Sequence, residues 1–156
     1  MNKEFIAIIH NVRSLHNVGS VFRTADGAGV SKIYLTGYTP SPIDEMGRIR
    51  KEIIKTALGA EQSIKWETVK NISAVTKRLK KEGVQIVALE KAKNSVDYKK
   101  FKPKFPVALI VGNEVRGLSS TILTRADAII SIPMLGKKES LNVSVAFGIA
   151  AYSILK

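Results

Sequence analysis

The sequence predicts an open α/β sheet, mostly parallel, with helices on both faces. Short runs rich in Val, Ile and Leu alternate with amphipathic stretches from one end of the chain to the other, the pattern of a parallel sheet under helical cover. Each run is nearly continuous in apolar residues instead of alternating with polar ones, as strands buried on both faces require. No internal repeat, low-complexity tract or linker of domain-separating length breaks the series. Residues 1–156 are therefore expected to form one domain.

Taken in order, FIAIIH (Phe5 to His10) reads as a buried first strand. A helix is expected from Asn17, where Val18, Val21, Phe22 and Ala25 recur at helical spacing and Gly27 and Gly29 supply the stop. KIYLTG (Lys32 to Gly37) is the second strand, and Tyr38 to Gly47, with Pro40 and Pro42, is the longest loop candidate. A helical pattern resumes over Arg48 to Leu58, followed by a short strand around Ile64 to Glu67. Asn71 caps a basic helix carrying Lys77, Arg78, Lys80 and Lys81, which Gly83 ends. Strands follow at Val84 to Glu90, Val107 to Asn113 and Ala128 to Met134, with a helix from Ser119 to Arg125 between the last two. The apolar stretch NVSVAFGIAAYSILK closes the chain as a helix. The expected sheet has five to six strands.

Composition narrows the chemistry. There is no Cys, which excludes disulfides, thiolate metal sites and a cysteine nucleophile, and two His residues offer little to a metal. The 25 Lys and Arg against 13 Asp and Glu give a net charge of +12, an excess that suits a polyanion such as nucleic acid as well as a plainly basic surface. No segment is apolar over the roughly 18 residues a membrane span needs. The start MNKEFIAIIH is too quickly polar for a signal peptide, so a cytoplasmic location is expected.

Ligands of open α/β sheets bind beyond the carboxyl ends of the strands, so the strand-exit loops matter most. Neither a G-x-G-x-x-G nor a G-x-x-x-x-G-K-[ST] loop occurs at any of them, and no G-x-S-x-G elbow is present. Asn17 suits a helix N-cap. Arg23, between Phe22 and Thr24 on an otherwise apolar helix, carries a planar fork suited to phosphate and is expected to reach a cleft or a partner. In GNEVRGLSS, Gly112 permits close approach of a ligand to the backbone and Gly117 a positive φ. Glu114 there needs a partner at the sheet edge, for which Arg116 is the nearest choice in sequence. In IPMLGKKESLNVS, Ser140, Asn142 and Ser144 crowd one helix entrance where a single cap would suffice.

Together, HNVGSVFRTADGAGV, VGNEVRGLS and IPMLGKKESLNVSVA resemble, in order and spacing, the three motifs of the SpoU-type, TrmH-like members of the SPOUT superfamily, RNA ribose 2′-O-methyltransferases. The resemblance runs from the first strand to the final helix. It implies a C-terminal trefoil knot, a homodimer with composite active sites, and S-adenosylmethionine held by the knot loops. Carried onto this chain, it places Arg23, Asn17, Glu114, Ser140 and Asn142 in the catalytic set and Leu89, Gly112, Ile132, Met134 and Leu141 at the cofactor. The family assigns Arg23 a general-base role. A guanidinium with a pKa above about 12 suits a phosphate clamp and a stabiliser of developing negative charge better.

Arg13, Arg23, Lys137 and Lys138 are the candidates for RNA contact, with Tyr38 and Trp66 as aromatics able to stack on a base. The expected substrate is tRNA or ribosomal RNA, with no metal and no membrane partner. The chain is expected to be the catalytic domain alone, without an additional RNA-binding domain. Two other readings use the same fold: a non-catalytic dimeric RNA-binding protein, and a SPOUT enzyme that methylates a base.

Overall fold

Runs of Val, Ile and Leu buried on both faces must pair side by side and be covered above and below. The computed structural model describes residues 3–156, and they do this with one sheet. The elements are β1 (Phe5–His10), α1 (Leu15–Ala28), β2 (Lys32–Thr36), α2 (Lys51–Ala57), α3 (Ala60–Ser63), β3 (Lys65–Thr68), α4 (Ile72–Lys81), β4 (Gln85–Leu89), β5 (Val96–Asp97), β6 (Val107–Val111), α5 (Ser120–Arg125), β7 (Ala128–Ser131) and α6 (Val143–Leu155). Strand order is β3-β2-β1-β6-β4-β7-β5, and every pairing is parallel.

The sheet has seven strands where five to six were expected. The addition is β5, two residues paired to β7 through Val96 and Asp97 at one edge. So short a strand carries no periodicity to read. The helix expected from Arg48 starts at Lys51, because Ile43 and Ile49 pair across an antiparallel bridge and hold Arg48 in the preceding loop.

Alternating residues of the strands feed two cores. Ala7, Ile9, Leu109 and Val111 pack on one face with Phe22 of α1, Ile53 of α2 and Phe147 of α6. Ile6, Ile8, Ala108 and Ile110 pack on the other with Val75 and Leu79 of α4, flanked by Ile122 of α5. Helices α1 and α2 approach closely at Gly19, where a Cβ would lie 2.3 Å from the Ile53 carbonyl oxygen. On the opposite face, α4 spends part of its charge on structure. Arg78 donates to the Tyr34 hydroxyl at 2.9 Å, and Lys80 donates to the Arg125 carbonyl.

With all strands parallel, the loops leaving β1, β2, β4, β6 and β7 share one sheet edge. Among the described residues no helix is long and apolar enough to cross a membrane.

Candidate active site

Three of these exit loops form a single cleft. Leu89 and Glu90 after β4, Gly112, Asn113, Glu114 and Gly117 after β6, and Ile132, Met134, Ser140 and Leu141 after β7 all line it, with Val143 and Ala146 of α6. All five residues expected at the cofactor, Leu89, Gly112, Ile132, Met134 and Leu141, are therefore brought together. The apolar side chains form much of the wall. At Gly112 a Cβ would meet Leu118 Cδ2 at 2.6 Å and the Gly117 carbonyl carbon at 2.9 Å, so only glycine lets the 112–118 turn fold back on the strand.

Two carboxylates hold that turn. Glu90 Oε2 accepts the Leu118 N–H at 2.8 Å and would lie 2.0 Å from a Cβ at Gly117, whose φ is +63°. Glu114 reaches across to the loop after β1, accepting the Ser14 N–H at 2.9 Å and the Arg13 N–H at 3.1 Å. Partial burial pushes the Glu114 carboxyl up, but the N–H groups of Ser14 and Arg13 outweigh it, aided by the Asn17 amide, and hold it below its usual range. The expected partner, Arg116, is not the one used. The backbone donors of Arg13 and Ser14 sit nearer and satisfy both oxygens, leaving Arg116 exposed.

The cap of α1 also differs from expectation. Ser14 is the N-cap, its Oγ accepting the Asn17 N–H at 3.1 Å, so α1 begins at Leu15 and Asn17 lies inside the first turn. Asn17 is only 8% exposed. Its Oδ1 accepts from Asn142 Nδ2 at 3.1 Å, while Asn142 Oδ1 caps α6 through the N–H groups of Ser144 and Val145. Glu114 on the Ser14 N–H, Ser14 Oγ on the Asn17 N–H, and Asn17 on Asn142 thus link the β1, β6 and β7 exits. Ser140 lies on the cleft wall.

Arg23 is elsewhere. Exposed on α1, it lines a shallow groove with His16, Ser20, Thr24, Lys55 and Tyr152, none of which borders the cleft. Lys137 and Lys138 are exposed on the loop before α6, and Arg13 is exposed at the β1 exit. Trp66 is not a stacking surface: it is half-buried against the core, and its Nε1 donates to the Glu61 carbonyl at 3.2 Å.

Sequence reasoning missed Asn113 and Glu90. Asn113 Nδ2 donates to the Asn11 carbonyl and to the Tyr38 hydroxyl, both at 2.9 Å, while its Oδ1 accepts from the N–H groups of Val115 and Arg116. The signal for Asn113 was its place beside Gly112 and Glu114. For Glu90 it was a carboxylate ending an apolar strand.

Residues 4–152 match the model of the SpoU rRNA Methylase family. A tRNA (guanosine(18)-2′-O)-methyltransferase of Aquifex aeolicus is 36% identical over 153 residues, covering 96% of this chain and 68% of that protein. A 23S rRNA (guanosine-2′-O-)-methyltransferase of Salmonella typhi is 31% identical, covering 99% of this chain and 61% of that protein. Among solved structures, an AdoMet-bound rRNA methyltransferase from Sinorhizobium meliloti superposes with a TM-score of 0.86 at 31% identity, covering 99% of this chain and 56% of that one. Against other curated relatives the chain spans 58% of their length.

Proposed function

From the premise that this chain belongs to the SpoU rRNA methylase family, we propose that it transfers a methyl group from S-adenosylmethionine to a ribose 2′-hydroxyl of tRNA or ribosomal RNA. The observation that carries this reading is the convergence of Leu89, Gly112, Ile132, Met134 and Leu141 on one cleft, tied by Glu114, Asn17 and Asn142. The cofactor fits the residues present. Apolar walls suit its adenosine and thioether portions, and the glycine-dependent turn brings backbone groups to the cleft rim, a mode of recognition that needs no charged fingerprint. The cofactor supplies the electrophilic methyl group.

What the protein contributes is alignment and charge. In-line displacement requires the 2′-oxygen to be held opposite the leaving sulfur. Ser140 stands at the cleft wall where the ribose would enter, and Asn142, two residues on at the start of α6, is fixed by its bond to Asn17. Arg23 clamps an RNA phosphate and stabilises the negative charge developing on the oxygen as its proton passes to solvent water. Glu114, saturated by backbone donors, shapes the site and moves no proton.

Because Arg23 lies outside its own chain's cleft, the active site is completed by a second copy. Helix α6 supports this: it has no charged residue from Val143 to Leu155, yet Val145 and Tyr152 are half-exposed, and Tyr152 lines the Arg23 groove. A helix apolar all round calls for cover. The same reading includes the trefoil knot. After β7, on the far side of β4 from β1, the chain returns past the β4 and β6 exits to reach α6 against α1.

The test is transfer of labelled methyl from S-adenosylmethionine to total tRNA and, separately, ribosomal RNA, with nuclease digestion to locate the label. Label on a ribose 2′-oxygen is expected. Label on a base would favour the base-directed reading, and cofactor binding without transfer to either pool would overturn the substrate assignment. A chain that binds RNA but no cofactor would be a binding platform.

A further inference from the structure

The exit of β2 carries an aromatic that the cofactor cleft does not use. Tyr38 follows Gly37, which has φ +63° and leaves room for Asn11 Oδ1 only 1.7 Å from where a Cβ would lie. That oxygen accepts the Tyr38 N–H at 3.1 Å, and Asn113 Nδ2 donates to the Tyr38 hydroxyl at 2.9 Å. The residue is held at its backbone and at its ring tip, yet it is 55% exposed. Burial does not account for a ring that is fixed and left half in solvent.

Its surroundings show what it faces. Tyr38 lines a groove with Arg13, Ser14, Asn113, Glu114, Val115 and Arg116, and Asn113, Glu114 and Val115 also border the cofactor cleft. The groove and the cleft therefore share a wall. Among the described residues neither Arg13 nor Arg116 forms an ion pair. The nearby carboxylate, Glu114, is taken by the backbone N–H groups of Arg13 and Ser14. The result is a rigid aromatic face beside two free guanidinium groups.

We propose that this groove holds an unpaired nucleotide of the RNA next to the one in the cleft, its base on the Tyr38 ring and its phosphates on Arg13 and Arg116. Every base has a π-face, so an aromatic platform takes a single-stranded nucleotide with little regard to sequence, and Arg binds phosphate bidentately. Fixing the ring beforehand removes the ordering cost that binding would otherwise carry. The assignment rests on the proposed RNA methylation, since the groove's place beside the cleft gives it meaning.

The experiment uses the full chain and a heptaribonucleotide of uridines with 2-aminopurine at its centre, whose fluorescence falls on stacking. The wild-type protein and Tyr38→Phe are expected to bind and quench the probe. Tyr38→Ala is expected to bind about tenfold more weakly and to lose the quench, with affinity for S-adenosylmethionine unchanged. Arg116→Ala, on an exposed side chain, is expected to keep the quench at saturation while weakening binding and reducing the salt dependence by about one phosphate contact. No binding by the wild type, or equal binding and quench in Tyr38→Ala, would overturn the proposal. Absence of methyl transfer with Tyr38-dependent binding intact would sink the enzymatic reading and leave the groove standing.

Discussion

The cofactor cleft and the Arg23 groove are built on opposite plans. The cleft is assembled from three loops of one chain and braced by hydrogen bonds between them: Glu90 and Glu114 hold backbone N–H groups, and Asn17 holds Asn142. The groove on α1 and α6 shows an exposed guanidinium without an ion pair among the described residues, beside half-exposed Tyr152. A site whose groups satisfy one another is complete within its chain. A site whose charge and apolar surface stay open suits the proposed reading, in which RNA and a second copy complete it.

The sharpest way to break this contrast is to remove Arg23. Arg23→Ala should cut methyl transfer about 10²–10³-fold, the scale for losing one charge-stabilising donor, while calorimetric affinity for S-adenosylmethionine stays the same. The reverse change attacks the cleft. Gly117→Ala sets a Cβ 2.0 Å from Glu90 Oε2 at φ +63°, so Glu90 must release the Leu118 N–H or the strained turn must shift. Cofactor affinity should fall roughly tenfold or more, with the salt dependence of RNA binding unaltered.

The smaller effects concern stability. Asn142→Ala removes the cap of α6 and the bond to Asn17, and should cost about 1 kcal/mol in denaturant unfolding, or about 2–4 °C in Tm. The Glu114 contribution should depend on pH. Its carboxyl titrates below its ordinary value in the folded protein, so its stabilisation is present above about pH 4.3 and is lost as the pH falls through the lowered native value. In Glu114→Gln that part of the acid slope should disappear when denaturation midpoints are compared across the same range.

Most of the sheet was legible because buried parallel strands announce themselves as unbroken apolar runs, as FIAIIH and VALIV do. The two-residue β5 was not, since pairing and no pattern of its own defines it. That Leu89, Gly112, Ile132, Met134 and Leu141 meet in one cleft was legible only through the resemblance. Leu89, Ile132 and Leu141 are ordinary apolar residues whose convergence is a property of topology. Local chemistry misassigned Asn17 as a cap because Ser14, three residues earlier, is an equally good one and takes the role. It misassigned Arg116 as the partner of Glu114 because sequence proximity says nothing about a loop 100 residues away. Arg23, expected to reach a cleft or a partner, is exposed on a groove away from its own chain's cleft.

In the proposed arrangement Arg23 serves the cleft of another chain. Co-expression of Arg23→Ala with Gly117→Ala tests it most directly, because a mixed dimer would pair one intact cleft with one intact Arg23. If chains associate at random and S-adenosylmethionine is held well below the Kd of the Gly117→Ala cleft, methyl transfer should recover to about a quarter of the wild-type rate, although Arg23→Ala alone is nearly inactive and Gly117→Ala alone runs at about a tenth of that rate or less. A mixed preparation no more active than the two variants apart would contradict the account.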